Sequence, residues 1–526
     1  MQKRTDAARV LWIGLVLSAV FHTTALPVHA ADTLERIRER GVLVWGADAE
    51  GGGPFVYPRD DDPTKCQGFE VELASLLAKK LGVEARLAQG QWDKLPDLLK
   101  RGDVDIVLNG YEWTPTRAER FGTTIPYYIY QLQMLVRRDD ERFSTLESLK
   151  TIEAEKPRVA VLGGSAAERC LQQTYGDAVA IVRYDGSTDA MRAVELDLDG
   201  VDATLQDLPV VGFYERRFPQ LRRLAEPVEP GYYVILTRPE DQTLVRSLND
   251  AILDCYRDGS FPAVLARYEM WNAIQRQRGL ITDGKGGFQP DPTPVSSDSL
   301  PERDSPHSWL TDVASRTPLL LRAAGITIFL AVCSMPLAVA AGLMIALGRL
   351  YGPTWLRWPL GWYVELIRGT PLVLQLYVIF FLLPELGLSL PALLAGVIGL
   401  SLNYSAYEAE IYRAGLQAVP RGQMEAALSL GMSRGLALRR IIVPQAFRLV
   451  IPPVMNDFIA MFKDTAVCSV ITIVELSKEY YIHAQSTNRV VELGLVTALL
   501  YLAMSYPLSL LVARMERRLS SGSKHA

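Results

Sequence analysis

Several charged residues in the second half of the chain lie within long apolar runs, where a charge needs a partner or access to water. Glu408 and Glu410 stand in one such run, with Arg413 at its end, and Lys463 and Asp464 stand in another. A charged side chain inside a bilayer is costly unless it is paired or faces a water-filled cavity. These residues therefore indicate either a polar path across a membrane or ion pairs between helices. Pairing, or a position at the membrane boundary, is the interpretation we favour for Glu410, Lys463 and Asp464.

A basic segment between two apolar runs has a pattern of its own. Residues 419 to 446 predict two short helices that are broken at Gly431, because glycine adopts the left-handed conformation that ends a helix, and stopped at Pro444. Basic loops of membrane proteins face the cytoplasm, so the sequence predicts a cytoplasmic loop. Its arginines are Arg421, Arg434, Arg439 and Arg440.

Five residues of this segment follow the spacing of a known family: Glu425, Ala426, Ala427, Gly431 and Pro444. The segment closely resembles the coupling loop of ABC importer permeases. The resemblance implies docking into a groove on a separate ATPase subunit, which the small side chains of Ala426 and Ala427 allow the helix to enter deeply. An ordinary amphipathic connector is the other interpretation.

The whole chain of 526 residues is divided into two unlike parts. Up to about Arg278 it is mixed and charged, whereas from Leu310 to Val512 it is dominated by apolar runs long enough to cross a bilayer. The formal net charge of −4 and the lack of a basic tract give no indication of nucleic-acid binding. The sequence has no Gly-x-x-x-x-Gly-Lys-Ser/Thr phosphate-binding motif, so we predict no ATPase site in this chain.

The apolar half predicts five spans, and its basic loops orient them. Basic residues concentrate in the loop that contains Arg421 and near the C-terminal end, at Arg514 and Arg517. The positive-inside rule then places the C-terminus in the cytoplasm and, with an odd number of spans, the first half of the chain outside. The spans are predicted at about residues 319–347, 360–383, 391–412, 447–474 and 493–512.

The N-terminal residues have the pattern of an export signal. Lys3, Arg4 and Arg9 precede an apolar run from Val10 to Phe21, and small residues lead up to Ala30. We therefore predict a signal peptide that is cleaved after Ala30, with a retained anchor as the alternative. This agrees with the orientation predicted from the basic loops.

From Asp32 to about Asn272 the chain alternates strand-like and helix-like segments, which predicts an α/β domain. Two β-rich runs, Tyr127 to Arg137 and Tyr232 to Thr237, lie about 100 residues apart with a second α/β set between them. The chain therefore leaves one lobe and later returns to it. This predicts a bilobed domain with two connecting strands and a cleft.

Four motifs in this domain are Gly68 to Val71, Trp92 to Pro96, Thr114 to Arg120 and Val201 to Asp207. With these motifs the domain resembles the type 3 family of solute-binding proteins, which bind polar amino acids in bacteria. The resemblance implies that Arg117 holds the α-carboxylate of a ligand and that Asp207 holds its α-ammonium. A guanidinium and a carboxylate suit these two charges once water is excluded. A surface or inter-lobe ion pair is the alternative for each.

The same resemblance implies further contacts to the ligand. Trp92 is expected to form an apolar wall of the site, Ser165 is expected to donate to a carboxylate, and Phe55 is expected to be a further substrate-binding residue. A position in the hydrophobic core is the alternative for Trp92, because aromatic residues line cores and pockets alike.

Three departures from the family leave the ligand open. Gly52 and its glycine neighbours stand where an aromatic residue is usual, Glu112 replaces a small hydroxyl residue, and Ala166 replaces a serine or threonine. A site that loses a ring and two hydroxyls and gains a carboxylate admits a cationic or unusually polar ligand.

The apolar half resembles the histidine/glutamine-type amino-acid permeases over its full length. The stretches that carry this resemblance are Glu365 to Pro371, Ser405 to Arg413 and Phe458 to Val470. The family resemblance implies an ATPase subunit that binds ATP in trans. Because such transporters have two nucleotide sites, it also implies two permease halves, which a homodimer would supply.

The cysteines show no metal-ligand spacing, and no metal site is predicted. Cys66, Cys170 and Cys255 lie in the domain that we expect to be exported, where one disulfide among them is an open alternative. No nucleophile and base pair stands out either, so we predict no catalytic residues.

Together these features predict a polar amino-acid ABC importer subunit of the bacterial inner membrane. It would combine an extracytoplasmic α/β bilobed binding domain with an all-α membrane domain of five transmembrane helices. A ligand-gated ion channel or a sensor with the same bilobed ligand domain is the alternative. The predicted boundaries are residues 1–30 for the signal peptide, 31–275 for the binding domain, 276–309 for a linker rich in Gly and Pro, and 310–526 for the permease domain.

Overall fold

The computed structural model of the chain describes residues 32–151, 156–184, 186–224, 227–272, 274–275, 309–487 and 489–521. The predicted signal peptide, residues 1–30, and nearly all of the predicted linker, residues 276–309, lie outside these residues. Their boundaries stay predictions.

The first half of the chain folds into two α/β lobes, as the alternating pattern predicts. Its strands are β1 (Val42–Ala47), β2 (Tyr57–Pro58), β3 (Cys66–Gln67), β4 (Glu84–Gln89), β5 (Ile106–Val107), β6 (Gly122–Thr123), β7 (Tyr128–Arg137), β8 (Arg158–Leu162), β9 (Ala180–Tyr184), β10 (Ala203–Asp207), β11 (Leu221–Arg223), β12 (Val228–Tyr233) and β13 (Leu236–Thr237). Its helices are α1 (Thr33–Arg40), α2 (Phe69–Leu81), α3 (Leu95–Arg101), α4 (Pro115–Arg120), α5 (Ser148–Thr151), α6 (Ala166–Thr174), α7 (Ser187–Glu195), α8 (Leu208–Tyr214), α9 (Gln242–Arg257) and α10 (Ser260–Arg267).

Each lobe is built on one sheet. The sheet of the first lobe has the order β4-β1-β5-β13-β6, and β1 runs parallel to β4 and β5. The sheet of the second lobe has the order β11-β7-β10-β8-β9, in which β8 runs parallel to β9 and β10. In each lobe the carboxyl ends of these parallel strands therefore meet at one edge.

Two antiparallel strands connect the lobes where the sequence predicts them. β7 pairs with β12, and Tyr128 lies opposite Tyr233 while Tyr130 lies opposite Gly231. The chain then enters β13, which belongs to the sheet of the first lobe. The predicted return of the chain to its first lobe is confirmed.

A close backbone approach fixes the loop that carries Phe55. Gly68 has a φ of 139°, and a Cβ added to it would lie 1.9 Å from the carbonyl oxygen of Phe55. Only glycine fits such a position without displacing its neighbour. The amide of Phe69 then donates to the carbonyl of Pro54 at 2.9 Å, so the loop is held against the start of α2.

The second half of the chain is helical. Its helices are α11 (Trp309–Tyr351), α12 (Thr354–Gly369), α13 (Leu372–Tyr377), α14 (Ala392–Ala418), α15 (Arg421–Ser429), α16 (Arg434–Ala437), α17 (Val443–Asp464), α18 (Leu476–Thr487) and α19 (Val490–Ser521). Among the described residues, 309–351 and 490–515 form 2 helices that are long and apolar enough to cross a membrane, and the pair 354–369 and 372–386, bent by 108°, would add a third. The count of five spans stays a prediction.

Glu410 of the helical half forms ion pairs, as the sequence analysis favoured. The carboxylate of Glu410 pairs with Arg349 of α11 and, at 2.5 Å, with Arg413 one turn along its own helix. Asp464 accepts a hydrogen bond of 2.7 Å from the hydroxyl of Tyr404. Lys463 is exposed.

One prediction for the basic loop is wrong. The break at Gly431 is present, with a φ of 80°. The second short helix, however, does not stop at Pro444. Helical structure continues from α16 through residues 438–442 into α17, and Pro444 lies in the first turn of α17. The first turn of a helix is a position that tolerates proline.

The two halves of the chain contact each other directly. Arg101 of α3 donates to the carbonyl of Leu390 at 3.1 Å, and its guanidinium carbon lies 3.7 Å from the centre of the Phe380 ring. Arg316 of α11 is buried and pairs with Asp60 at 2.9 Å. The first lobe thus lies directly against the helical half.

Candidate functional site

A cavity lies between the two lobes at the carboxyl ends of their parallel strands. Asp48 follows β1, Asn109 lies two residues beyond β5, and Asp207 is the last residue of β10. Ligands of open α/β sheets bind outside the carboxyl ends of the strands, so this cavity is the candidate site. Its lining includes Asp48, Glu50, Phe55, Trp92, Asn109, Glu112, Ser165, Gln206 and Asp207.

Most of the residues that the sequence predicts for the ligand meet in this cavity. Those that line it are Phe55, Trp92, Glu112, Ser165 and Asp207. Arg117 instead lies in a neighbouring pocket that shares Trp92 with the cavity. Its guanidinium carbon is 5.1 Å from the centre of the Tyr111 ring and 5.8 Å from that of Trp92. Arg117 therefore does not line the cavity itself, whereas its partner Glu112 does.

The carboxylate of Glu112 bridges the two lobes. It pairs with Arg117 in the first lobe, and its Oε1 atom accepts a hydrogen bond of 2.8 Å from the backbone amide of Ala166 in the second. Arg169 lies 3.5 Å away. A guanidinium and a backbone amide are the groups that would bind a ligand's carboxylate. In this protein the side chain of Glu112 itself occupies both groups, the guanidinium of Arg117 and the amide of Ala166.

Asp207 presents a carboxyl group with an unusual acidity. The hydroxyl of Tyr233 donates to it, and burial, reinforced by the nearby negative charge of Glu112, raises the pKa of Asp207 to about 7. A buried carboxylate is stabilised by a cation, so an incoming ammonium group would favour its charged form.

Two other predicted residues also make internal contacts. The Trp92 ring stacks on Tyr111 with the centroids 4.9 Å apart, and its Nε1 donates to the carbonyl of Asn109 at 2.8 Å. The hydroxyl of Ser165 accepts a hydrogen bond of 3.3 Å from the amide of Glu168 and so caps helix α6. These contacts fix the position of Trp92 as one wall of the cavity. The hydroxyl of Ser165 caps the N-terminus of α6.

Sequence reasoning missed the acidic end of the cavity. Asp48 accepts hydrogen bonds from Gln89 Nε2 at 2.7 Å and from the amide of Trp92 at 3.0 Å. Its neighbour Glu50 has a raised pKa because of burial, which the positive charge of Lys478 opposes. The position of Asp48 at the end of a buried strand was the signal available for it in the sequence.

Lys478 was also missed, and it comes from the other half of the chain. It lies on α18, and its ammonium group pairs with Glu50 and lies 3.8 Å from Asp48 Oδ1. Nothing in the local sequence around Lys478 indicates this contact.

Four of the five predicted coupling residues, Glu425, Ala426, Ala427 and Gly431, lie on α15 or directly after it, whereas Pro444 lies in α17. Glu425 and Ala426 are exposed on α15, whereas Ala427 is buried within the chain. Gly431 follows Leu430, whose side chain is 84% exposed. The buried face of α15 is therefore marked by Ala427, and Glu425 lies on the opposite side of the helix.

Known proteins resemble both halves of the chain. Residues 43–270 match the family described as bacterial extracellular solute-binding proteins, family 3, and residues 338–521 match the binding-protein-dependent transport system inner membrane component. The L-cystine transport system permease protein TcyB of Bacillus subtilis is 39% identical over 203 residues, which cover 38% of this chain and 87% of that protein. The chain belongs to the binding-protein-dependent transport permeases. The predicted fusion of a solute-binding domain to such a permease is confirmed by the two family matches.

Other relatives cover one half of this fused permease or the other. The arginine transport system permease protein ArtQ of Bacillus subtilis is 33% identical over 205 residues, which cover 39% of the fused permease and 94% of ArtQ. A solved amino acid ABC transporter with histidines is 39% identical, with a TM-score of 0.39, over 40% of the fused permease and 98% of the solved chain. A solved ancestral amino acid-binding protein is 25% identical, with a TM-score of 0.41, over 45% and 99%.

Proposed function

We propose that this fused permease imports a polar amino acid, which its lobes capture outside the membrane and its helical half passes inward. The observation that supports this most is the acidic cavity between the lobes. There Asp48, Glu50 and Asp207 offer carboxylates to an ammonium group. Relatives named for L-cystine and arginine transport support amino acids as the substrate class. The excess of acids favours a cationic member of that class.

The subunit would cross the inner membrane five times, with its lobes on the periplasmic or outer side. α14 and α17 have lengths of 27 and 22 residues, which suit a span, although each carries charged residues. The other three spans would be α11, the bent pair α12 and α13, and α19. With five spans, an odd number, the lobes and the basic loop lie on opposite sides of the membrane. In that arrangement the connection that contains Leu390 lies on the outer side, which agrees with its contact with Arg101 of the first lobe.

Energy for import would come from ATP bound by a separate ATPase subunit. The exposed segment of Glu425, Ala426, Leu430 and Gly431 is the surface that we expect to dock on it. A second permease half would complete the transporter, and a homodimer is the simplest form of that assembly. No residue of this chain is proposed to bind ATP.

The substrate class can be tested by calorimetric titration of the full chain in lipid nanodiscs with each common amino acid. We expect a cationic amino acid to bind and acidic ones not to bind, because Asp48, Glu50, Glu112 and Asp207 all line the cavity. Empty nanodiscs are the control for heats of dilution. Binding of glutamate in preference to arginine, or no binding across the set, would contradict the proposal.

Ligand affinity should depend on pH through Asp207. Its raised pKa of about 7 means that a proton occupies the carboxyl group below that pH and competes with an ammonium group. Affinity should therefore rise with pH, by roughly tenfold between pH 6 and pH 8 for a single group with that pKa. Calorimetry at the two pH values measures this change, and Asp207→Asn should bind weakly at both. An affinity that is the same at both pH values would rule out this role for Asp207.

A further inference from the structure

Helix α18 of the permease half touches both lobes. Lys478, near its start, contacts Glu50 and Asp48 of the first lobe. Gln485, near its end, donates to Asp189 of the second lobe at 2.8 Å. Since α18 contacts both lobes, it is positioned to respond to a change in their relative position.

Arg217 adds a second contact between α18 and the second lobe. Its guanidinium donates to the carbonyl of Ser486 at 2.5 Å. The contacts of Gln485 and Ser486 hold the C-terminal end of α18 against the second lobe. Lys478 contacts the first lobe near the N-terminal end of the helix. The helix is therefore docked at both of its ends.

Lys478 is buried at the acidic end of the cavity. Its side chain is only 5% exposed, and both of its acidic partners line the cavity. Burial by itself would lower the pKa of Lys478, but Asp48 and Glu50 outweigh it and raise the pKa, so the amine is charged. An ammonium group of the permease thus neutralises the carboxylates that a cationic ligand would need.

We propose that Lys478 is a ligand-displacing residue, whose ammonium group competes with the positive end of the bound amino acid for Asp48 and Glu50. Two cations at this pair of carboxylates repel each other, so the presence of one weakens the binding of the other. Docking of α18 therefore weakens ligand binding and drives the ligand from the lobes towards the permease. This inference rests on the proposed import of an amino acid with a second positive charge.

The contact itself can be tested without a ligand. A water-soluble carbodiimide joins an amine directly to a carboxylate that touches it, so it should link Lys478 to Glu50 or Asp48 in the full chain in nanodiscs. Mass spectrometry of the peptides should find this link, and Lys478→Met should abolish it. A complete lack of the link in the unaltered chain would overturn the proposal.

Competition is tested by titrating the same chains with arginine. Lys478→Met keeps the length of the side chain and removes its charge, and we expect arginine to bind at least tenfold more tightly to this variant. Lys65→Met is the matched control, because Lys65 is exposed and pairs only with Asp62, at 2.9 Å, in the described part of the chain. It should leave the affinity unchanged.

The possible outcomes separate this inference from the proposed function. If arginine binds but Lys478→Met leaves its affinity unchanged or weaker, the displacing role is overturned while amino-acid binding stands. If neither chain binds any amino acid, the proposed substrate class is overturned. The carbodiimide link then still decides whether Lys478 occupies the acidic end of the cavity.

Discussion

Replacing Arg117 by alanine should lower the free energy of unfolding of the binding half by about 3 kcal/mol, because it leaves a buried carboxylate without its main partner. The side chain of Glu112 is only 3% exposed, and Arg117 pairs with it directly. Arg169, at 3.5 Å, offers partial compensation. Pulse proteolysis of the full chain in detergent over a urea series, followed through fragments of residues 43–270, measures the loss.

Two further variants show whether the unpaired charge causes this loss. Arg117→Ala combined with Glu112→Ser removes both charges and should recover most of the stability, since coupled residues are not additive. Arg120→Ala, at an exposed arginine of the same helix, should change the unfolding free energy by about 0.5 kcal/mol or less. If Arg117→Ala is as mild as Arg120→Ala, the pair of Arg117 with Glu112 contributes nothing to the stability of the binding half.

Replacing Glu425 by lysine should uncouple ATP hydrolysis from import while ligand binding persists. Glu425 is exposed on the face of α15 that points away from buried Ala427, so a reversed charge there alters the surface offered to the ATPase. We expect transport by the reconstituted complex to fall at least tenfold. Uptake of labelled arginine into proteoliposomes with the ATPase and ATP measures it.

The matched control lies two residues earlier. Gln423→Lys introduces a lysine on the face of α15 that Ala427 shares, where Gln423 contacts Gln445 at 3.3 Å. It should leave transport largely intact. Equal loss of transport in both variants would show that charge anywhere on the loop is harmful, and normal transport by Glu425→Lys would remove the docking role.

The two-lobed plan and most of the cavity could be predicted because they follow from local patterns. Alternating segments gave the lobes, and the motifs that contain Trp92 and Asp207 placed both residues at the cavity. The break at Gly431 was likewise local, since only its own backbone conformation is involved. The prediction for Pro444 was wrong because a proline is common both just after the end of one helix and in the first turn of the next, and the sequence alone does not distinguish the two positions.

What could not be predicted depends on contacts between distant parts of the chain. Glu112 was recognised as an added acid, but its bond to the Ala166 amide requires knowing how the lobes close. Lys478 is 428 residues from Glu50, and no periodicity in either segment connects them. Long-range partners of this kind are set by tertiary packing, which a single sequence does not display.

The direct contact between Arg101 and the carbonyls of Phe380 and Leu390 has a consequence for how much binding protein the transporter needs. Because both partners belong to one polypeptide, docking is intramolecular, and it does not depend on the concentration of a separate, diffusing binding protein. A contact surface too weak to hold a free, diffusing binding protein can therefore remain occupied here. The rate of uptake at low substrate would then follow the number of transporters, whatever the supply of soluble receptor in the surrounding compartment.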